Sequence, residues 1–292
     1  MHGVGSASAA MTVVNALPTG IGAALGIDLW TSVELSVVPA ADPARSYFRL
    51  DEPARTPLFE MSLGWALERY LPGRRYDVEA HVRSEIPVGR GLKSSSAVAS
   101  AAVLAIAAAA GSRPTPLEVA RLSAELGRAA GVSATGAFDD ALAGLVPGVV
   151  VTDNRSDTVL RSDPIGEELE AAILLPPSVH PPAPELRERF RAASEEGLRA
   201  ATAAREGAHW AAIALNSDLV ERVMGYSYAA LRRDLESAGA VAAGVSGLGP
   251  ALVALAPSGR IPRLLDAMSG FEGDRLRTRL RLAPAVGGGG GR

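Results

Sequence analysis

The run Pro87-Val88-Gly89-Arg90-Gly91-Leu92-Lys93-Ser94-Ser95-Ser96-Ala97 gathers the side chains an anion site needs. Gly89 and Gly91 let a ligand approach the backbone, three successive serines offer hydroxyls, and Lys93 is the only lysine in the 292-residue chain. The run joins an alternating, strand-like segment to an alanine-rich segment that reads as helix. Unpaired amides at that helix start would face whatever the loop holds, and phosphate is the natural candidate. The spacing is not G-x-x-x-x-G-K-[ST], so this is no Walker A loop. Serine ahead of a helix is also an ordinary N-cap.

A second stretch, Thr135-Gly136-Ala137-Phe138-Asp139-Asp140, delivers two acids into a short helix. One of them could take the proton of an alcohol, provided it lies within hydrogen-bond reach of the hydroxyl. Neighbouring side chains diverge, so one acid is expected in a pocket and the other is expected to cap the helix or orient a partner. Glu125, on the preceding helix, could reach a divalent cation, although most helical glutamates are simply solvated. The turn Gly244 to Ala251 could pass close to a phosphate or substrate; its glycines also serve a tight turn. Residues 1–26 are rich in small side chains and include Asn15; the bland reading, a flexible leader, fails at Met11 to Leu17, which looks ordered. The four histidines (His2, His81, His180, His209) lack metal-ligand spacing, and no Ser-His-Asp signature is present.

These groups need elements to hold them. Tyr76 to Ile86 alternates apolar and polar residues, as a half-buried strand does, and Ile27 to Val38 has strand composition. Helices are expected over Pro57–Leu71, Ser96–Ala110 and Thr115–Ala130, the last opened by Pro116 and a capping box with Glu118. Val149–Thr152 and Thr158–Arg161 read as a hairpin about Asn154-Arg155-Ser156-Asp157, followed by a buried strand at Ala171–Leu175 and the proline-rich loop Pro176–Pro184. Helical patterns fill Glu185–Glu206, His209–Met224, Tyr228–Ala238 and Ile261–Met268. Strands are expected on both sides of the 244–251 turn and at Arg275–Leu282, whose arginines read as a solvated face. The expected division is 1–155, 156–286 and a disordered glycine tail at 287–292.

Composition narrows the class. Apolar residues make up 48% of the chain and aromatics only 4%, so the core must be aliphatic. A net charge of −3 gives no field for a nucleic-acid backbone and no polybasic membrane patch. With no cysteine there are no disulfides or thiolate metal sites. No signal peptide or membrane span is legible, so a soluble cytoplasmic protein is expected. Monomer and homodimer stay equally open.

The motifs in this order resemble the GHMP kinase superfamily. Pro87-x-x-x-Gly91-Leu92-x-Ser94-Ser95-x-Ala97 is similar to its ATP-phosphate loop, and Gly244 to Pro250 to its third motif. Within it, Thr12-Val13-Val14-Asn15-Ala16, Gly26-Ile27-Asp28-Leu29, Arg90 to Ala97 and Thr135 to Ala141 resemble the archaeal-type shikimate kinases, with Leu215-Asn216 and Gly225-Tyr226 continuing the match. The resemblance implies an α+β, two-domain GHMP kinase fold. An N-terminal domain like domain 2 of ribosomal protein S5 would be followed by a ferredoxin-like C-terminal domain. It further implies ATP-dependent phosphorylation of the shikimate 3-hydroxyl, with ATP and a small molecule as the ligands. ATP phosphates would lie over residues 87–97 with Lys93 near them, and Mg²⁺ would sit on Ser95, or Ser94, and Glu125. Asp139 would take or align the hydroxyl, and Asn15, Thr135, Ser246, Gly247 and Gly249 would face the substrate. One departure stands out: the lysine that partners the aspartate near the start of related kinases is missing, which leaves Asp139 without an obvious orienting group. A different GHMP kinase, of homoserine or mevalonate type, and a non-catalytic ligand sensor are the alternatives.

Overall fold

The computed structural model describes residues 1–42, 45–50, 56–166, 168–177 and 183–281. The expected tail at 287–292, Leu282 of the expected last strand, and residues 178–182 of the proline-rich loop lie outside the described residues. The first half runs β1 (His2–Val14), β2 (Ile21–Pro39), β3 (Phe48–Leu50), α1 (Pro57–Tyr70), β4 (Tyr76–Ser84), α2 (Ser94–Ala109), α3 (Pro116–Ala129), α4 (Phe138–Ala143), β5 (Val149–Asp153) and β6 (Thr158–Asp163).

Residues 1–26 hold β1, a turn and the start of β2, with the two strands antiparallel to each other. Small residues serve packing here. A Cβ at Gly5 would fall 2.2 Å from the Ala101 carbonyl oxygen, so only glycine lets α2 lie this close on β1. The alanine run of α2 is buried on most sides for the same reason, between β1, α1 and α3. β2 is the spine of the first sheet. β1 runs along one edge, while β5 pairs with the start of the other edge and β4 with its end. β3 adds parallel to β4, and β6 adds antiparallel to β5. β6 thus belongs to the first sheet, and a division at 155 would part the two strands of one hairpin.

The second half runs β7 (Leu169–Leu175), α5 (Ala183–Ala192), α6 (Ser194–Arg205), α7 (His209–Met224), α8 (Ala229–Ser237), β8 (Ala242–Val245), β9 (Leu252–Pro257), α9 (Ile261–Ala267) and β10 (Asp274–Arg279). Its sheet is antiparallel throughout, in the order β10-β7-β9-β8. The expected single helix 185–206 is broken at Ala193 because its two parts serve different cores. Leu186 and Phe190 pack in the second half, whereas Ala200, Ala201 and Ala204 pack with the first sheet. Arg275, Arg277 and Arg279 are exposed on edge strand β10, as expected. No helix among the described residues is long and apolar enough to cross a membrane.

Candidate active site

Between the halves lies a cavity of about 350 Å³. Its walls come from the 89–96 loop, the 131–137 segment, Asp139 and Asp140 of α4, the end of β1, the start of α5 and the 247–249 turn.

The loop reaches the cavity through positive φ at Gly89, Gly91 and Lys93, the last being the N-cap of α2. Among the described residues no side chain caps that helix, so its first amides stay available to an anion. Gly89, Gly91, Lys93, Ser94, Ser95 and Ser96 line the cavity. The rest of the expected ATP loop does not. Val88 is exposed and, with Pro87 and Arg90, borders a separate depression on β10; Leu92 and Ala97 are core residues. Side chains alternate around the loop, which turns only part of it inward. Arg90 instead hydrogen-bonds the Pro176 carbonyl of the second half.

Both acids face this cavity, contrary to the expectation that only one would. A left-handed Ala137 starts α4 abruptly, and Asp139 and Asp140 are both in its buried first turn. Asp139 is 4% exposed. Its Oδ1 accepts a hydrogen bond from Asn154 Nδ2 at 2.7 Å, and its backbone N–H donates to Asn154 Oδ1 at 3.3 Å. Thr152 Oγ1 donates to the same Asn154 oxygen at 2.6 Å, fixing the amide's orientation. Burial and then the charge of Asp140 push the Asp139 carboxyl up to about 7, against the opposing pull of Lys93 and Asn154. Asp140 takes Lys93: Nζ lies 3.1 Å from its Oδ2. Burial raises this carboxyl as well, and Lys93 opposes the rise. Its Oδ1 is buried without a hydrogen-bond partner among the described residues.

Asn154 therefore answers the missing N-terminal lysine. The sequence showed it only as a hairpin turn residue, and its type carries no sign that it reaches a distant aspartate. Gly22 was equally silent; a Cβ there would meet Asp139 Oδ2 at 2.5 Å.

The substrate-side candidates divide. Thr135, Asn15, Gly247 and Gly249 line the cavity. Asn15 spends its side chain on the protein, donating to the Gly247 carbonyl and accepting from the Leu17 N–H. The Thr135 hydroxyl accepts from the Ala137 N–H at 3.3 Å. Ser246 is not in the wall. It is fully buried and its hydroxyl joins the halves, donating to the Gly91 carbonyl at 2.8 Å and accepting from the Thr12 N–H at 3.1 Å. Thr12, which the residue types did not single out, returns the link by accepting from the Gly247 N–H at 2.8 Å. Tyr226 backs the turn, donating to the Leu248 carbonyl.

Glu125 does not reach the site. On α3, Ser123 and Gly127 face the cavity, one turn apart, and Glu125 between them is exposed on another face. Of the expected cation ligands, only the serine hydroxyls of the loop fit.

Comparison with known proteins decides the family. The family described as "GHMP kinases N terminal domain" matches residues 61–148. A shikimate kinase of Halobacterium salinarum is 36% identical over 298 residues, spanning 98% of this chain and 99% of that one. The chain belongs to the GHMP kinases, among the archaeal shikimate kinases. A shikimate kinase of Pyrococcus abyssi is 34% identical, covering 96% of this kinase and all of its relative. The fold agrees. The mevalonate kinase of Methanococcus jannaschii superposes with a TM-score of 0.74 at 13% identity, over 96% of this chain and 99% of that one. As a GHMP kinase it is an ATP-dependent phosphotransferase acting on an alcohol group.

Proposed function

We propose that this kinase phosphorylates the 3-hydroxyl of shikimate, giving shikimate 3-phosphate and ADP on the route to chorismate and the aromatic amino acids. The observation that carries this is the near-full-length similarity to archaeal shikimate kinases, in a chain whose cavity keeps a buried aspartate beside an uncapped helix start. We take the halves as two domains, with the line after Asp163 rather than at 155, because β6 completes the first sheet.

ATP phosphates lie over the first amides of α2, where the helix dipole and the hydroxyls of Ser94, Ser95 and Ser96 meet their charge. Lys93 stands between Asp140 and the 247 turn, within reach of a phosphoryl oxygen and of both halves. Mg²⁺ suits a site with one hard hydroxyl ligand, Ser95, and the nucleotide's own oxygens; when bound, it neutralises phosphate charge. Asp139 receives the hydroxyl proton at a carboxylate oxygen, held by Asn154 in the required orientation. Because its carboxyl titrates near 7, it is a stronger base than a free aspartate yet still largely ionised above neutrality. Phosphoryl transfer is mostly positioning and charge stabilisation, so this orientation matters as much as basicity.

The test is an ADP-release assay with purified protein and Mg·ATP over shikimate, quinate, homoserine and mevalonate. Turnover with shikimate well above the others is expected. A preference for another alcohol overturns the substrate assignment.

A further inference from the structure

Among the described residues, four charged side chains line the cavity: Asp139, Asp140, Lys93 and Arg187. Lys93 is engaged by Asp140. Arg187 is exposed on α5 and makes no ion pair or hydrogen bond among the described residues. Its backbone is nevertheless well anchored. Leu186 beside it and Phe190 one turn on are buried in the second core, so the guanidinium stands on a fixed helix. Arg187 comes from the second half, whereas the two carboxylates come from the first.

Without Arg187 these described side chains sum to −1 once both carboxylates are ionised, since two carboxylates outweigh one ammonium. An alcohol carrying its own carboxylate would be repelled by that wall, and bound ATP phosphates would repel it further. The planar fork of arginine matches a carboxylate through two parallel N–H donors. We propose that Arg187 binds the substrate's carboxylate and thereby selects acidic alcohols over neutral ones. This rests on the shikimate reading, because shikimate is such an acid.

The experiment uses the full chain under saturating Mg·ATP. Arg187→Ala raises the KM for shikimate roughly 10- to 100-fold, the worth of a lost charge-assisted pair, and leaves the KM for ATP unchanged. The melting temperature stays put because the side chain is exposed, and Arg187→Lys falls between the two. Shikimate methyl ester separates this role from a general one. The wild type loses a similar factor on the ester, and Arg187→Ala loses little more. An unchanged shikimate KM, a rise confined to ATP, or an equal further loss on the ester overturns the assignment. If the wild type releases no ADP with shikimate, the substrate reading itself fails, and this proposal with it.

Discussion

Lys93 Nζ lies 3.1 Å from Asp140 Oδ2, with both side chains mostly buried. The chain's only lysine thus bridges the phosphate loop and the segment carrying the catalytic candidate, and the two cannot be perturbed separately. Lys93→Ala leaves Asp140 with neither oxygen partnered, because Oδ1 already has none. Breaking a buried pair costs about 3 kcal/mol, which a thermal melt will register as a fall of several degrees. Adding Asp140→Asn to Lys93→Ala recovers most of that stability but not the KM for ATP. Recovery of both would mean that Lys93 only neutralises Asp140 and does not serve the nucleotide.

Asp139→Asn removes the base but keeps the acceptor oxygen that Asn154 donates to. Turnover with shikimate is expected to fall about 10²- to 10⁴-fold, the usual worth of a general base, with ATP binding retained. Retention of most of the rate would reduce Asp139 to an aligning role. Stability moves the other way. The folded carboxyl sits near 7 against 3.8 for an ordinary aspartate. The fold therefore binds that proton more tightly than the unfolded chain does, and stability is lost as pH rises from about 4 to about 7. Asn carries no such loss, so its melting-temperature advantage should be absent near pH 4 and largest above pH 7.

The rate of the wild type follows the same carboxyl. Because Asp139 acts ionised, kcat/KM climbs with pH through about 7 and then levels. Asn154→Ala removes a hydrogen bond that favours the ionised form, so the rise should move to higher pH. A profile flat from pH 5 to 8 would falsify the base assignment.

Much of this site is written in local sequence. Helix α3 is announced by Thr115, Pro116 and Glu118, and the structure contains that capping box. The loop at 89–96 and the acids at 139–140 are legible because their strings resemble those of the GHMP kinases, although glycine, serine and aspartate in such places also serve as ordinary turns and helix caps. What was hidden depends on distance along the chain. Asn154 reaches Asp139 across 15 residues, and Thr12 reaches Gly247 across 235. Neither residue type advertises a partner. Ser246 misled for the opposite reason: a serine in a glycine turn looks free, yet here both bonding directions of its hydroxyl are taken by the other half. β1 stayed unread because its glycines and alanines lack strand propensity; α2 lying on it makes that strand.

Gly89 and Gly91 both have positive φ, but only Gly91 is also crowded. A Cβ at Gly91 would sit 2.2 Å from the Ser246 carbonyl oxygen, whereas at Gly89 no atom of the described residues lies within 4 Å. Gly89→Ala therefore costs only the backbone strain, about 1 kcal/mol. Gly91→Ala adds a clash across the joint between halves and should cost more than about 2 kcal/mol, with a raised KM for ATP. Equal melting temperatures for the two variants would show that the halves are free to separate at this point.

Gly22→Ala tests whether Asp139 must be where it is. The new methyl would meet the Asp139 carboxylate 2.5 Å away, and the flexible partner in that clash is the carboxylate itself. Gly22 is buried against Asp139, so the carboxylate must turn away into the cavity and rotate off Asn154. A displacement of an ångström at a reacting group costs about 10²-fold in rate. Turnover with shikimate should drop by roughly that factor while the KM for ATP changes little, since the loop at 89–96 is untouched. In an Asp139→Asn background the same substitution should add almost nothing, because the oriented base is already gone. A full further loss there would place the damage in β2 and the fold, not in the position of Asp139.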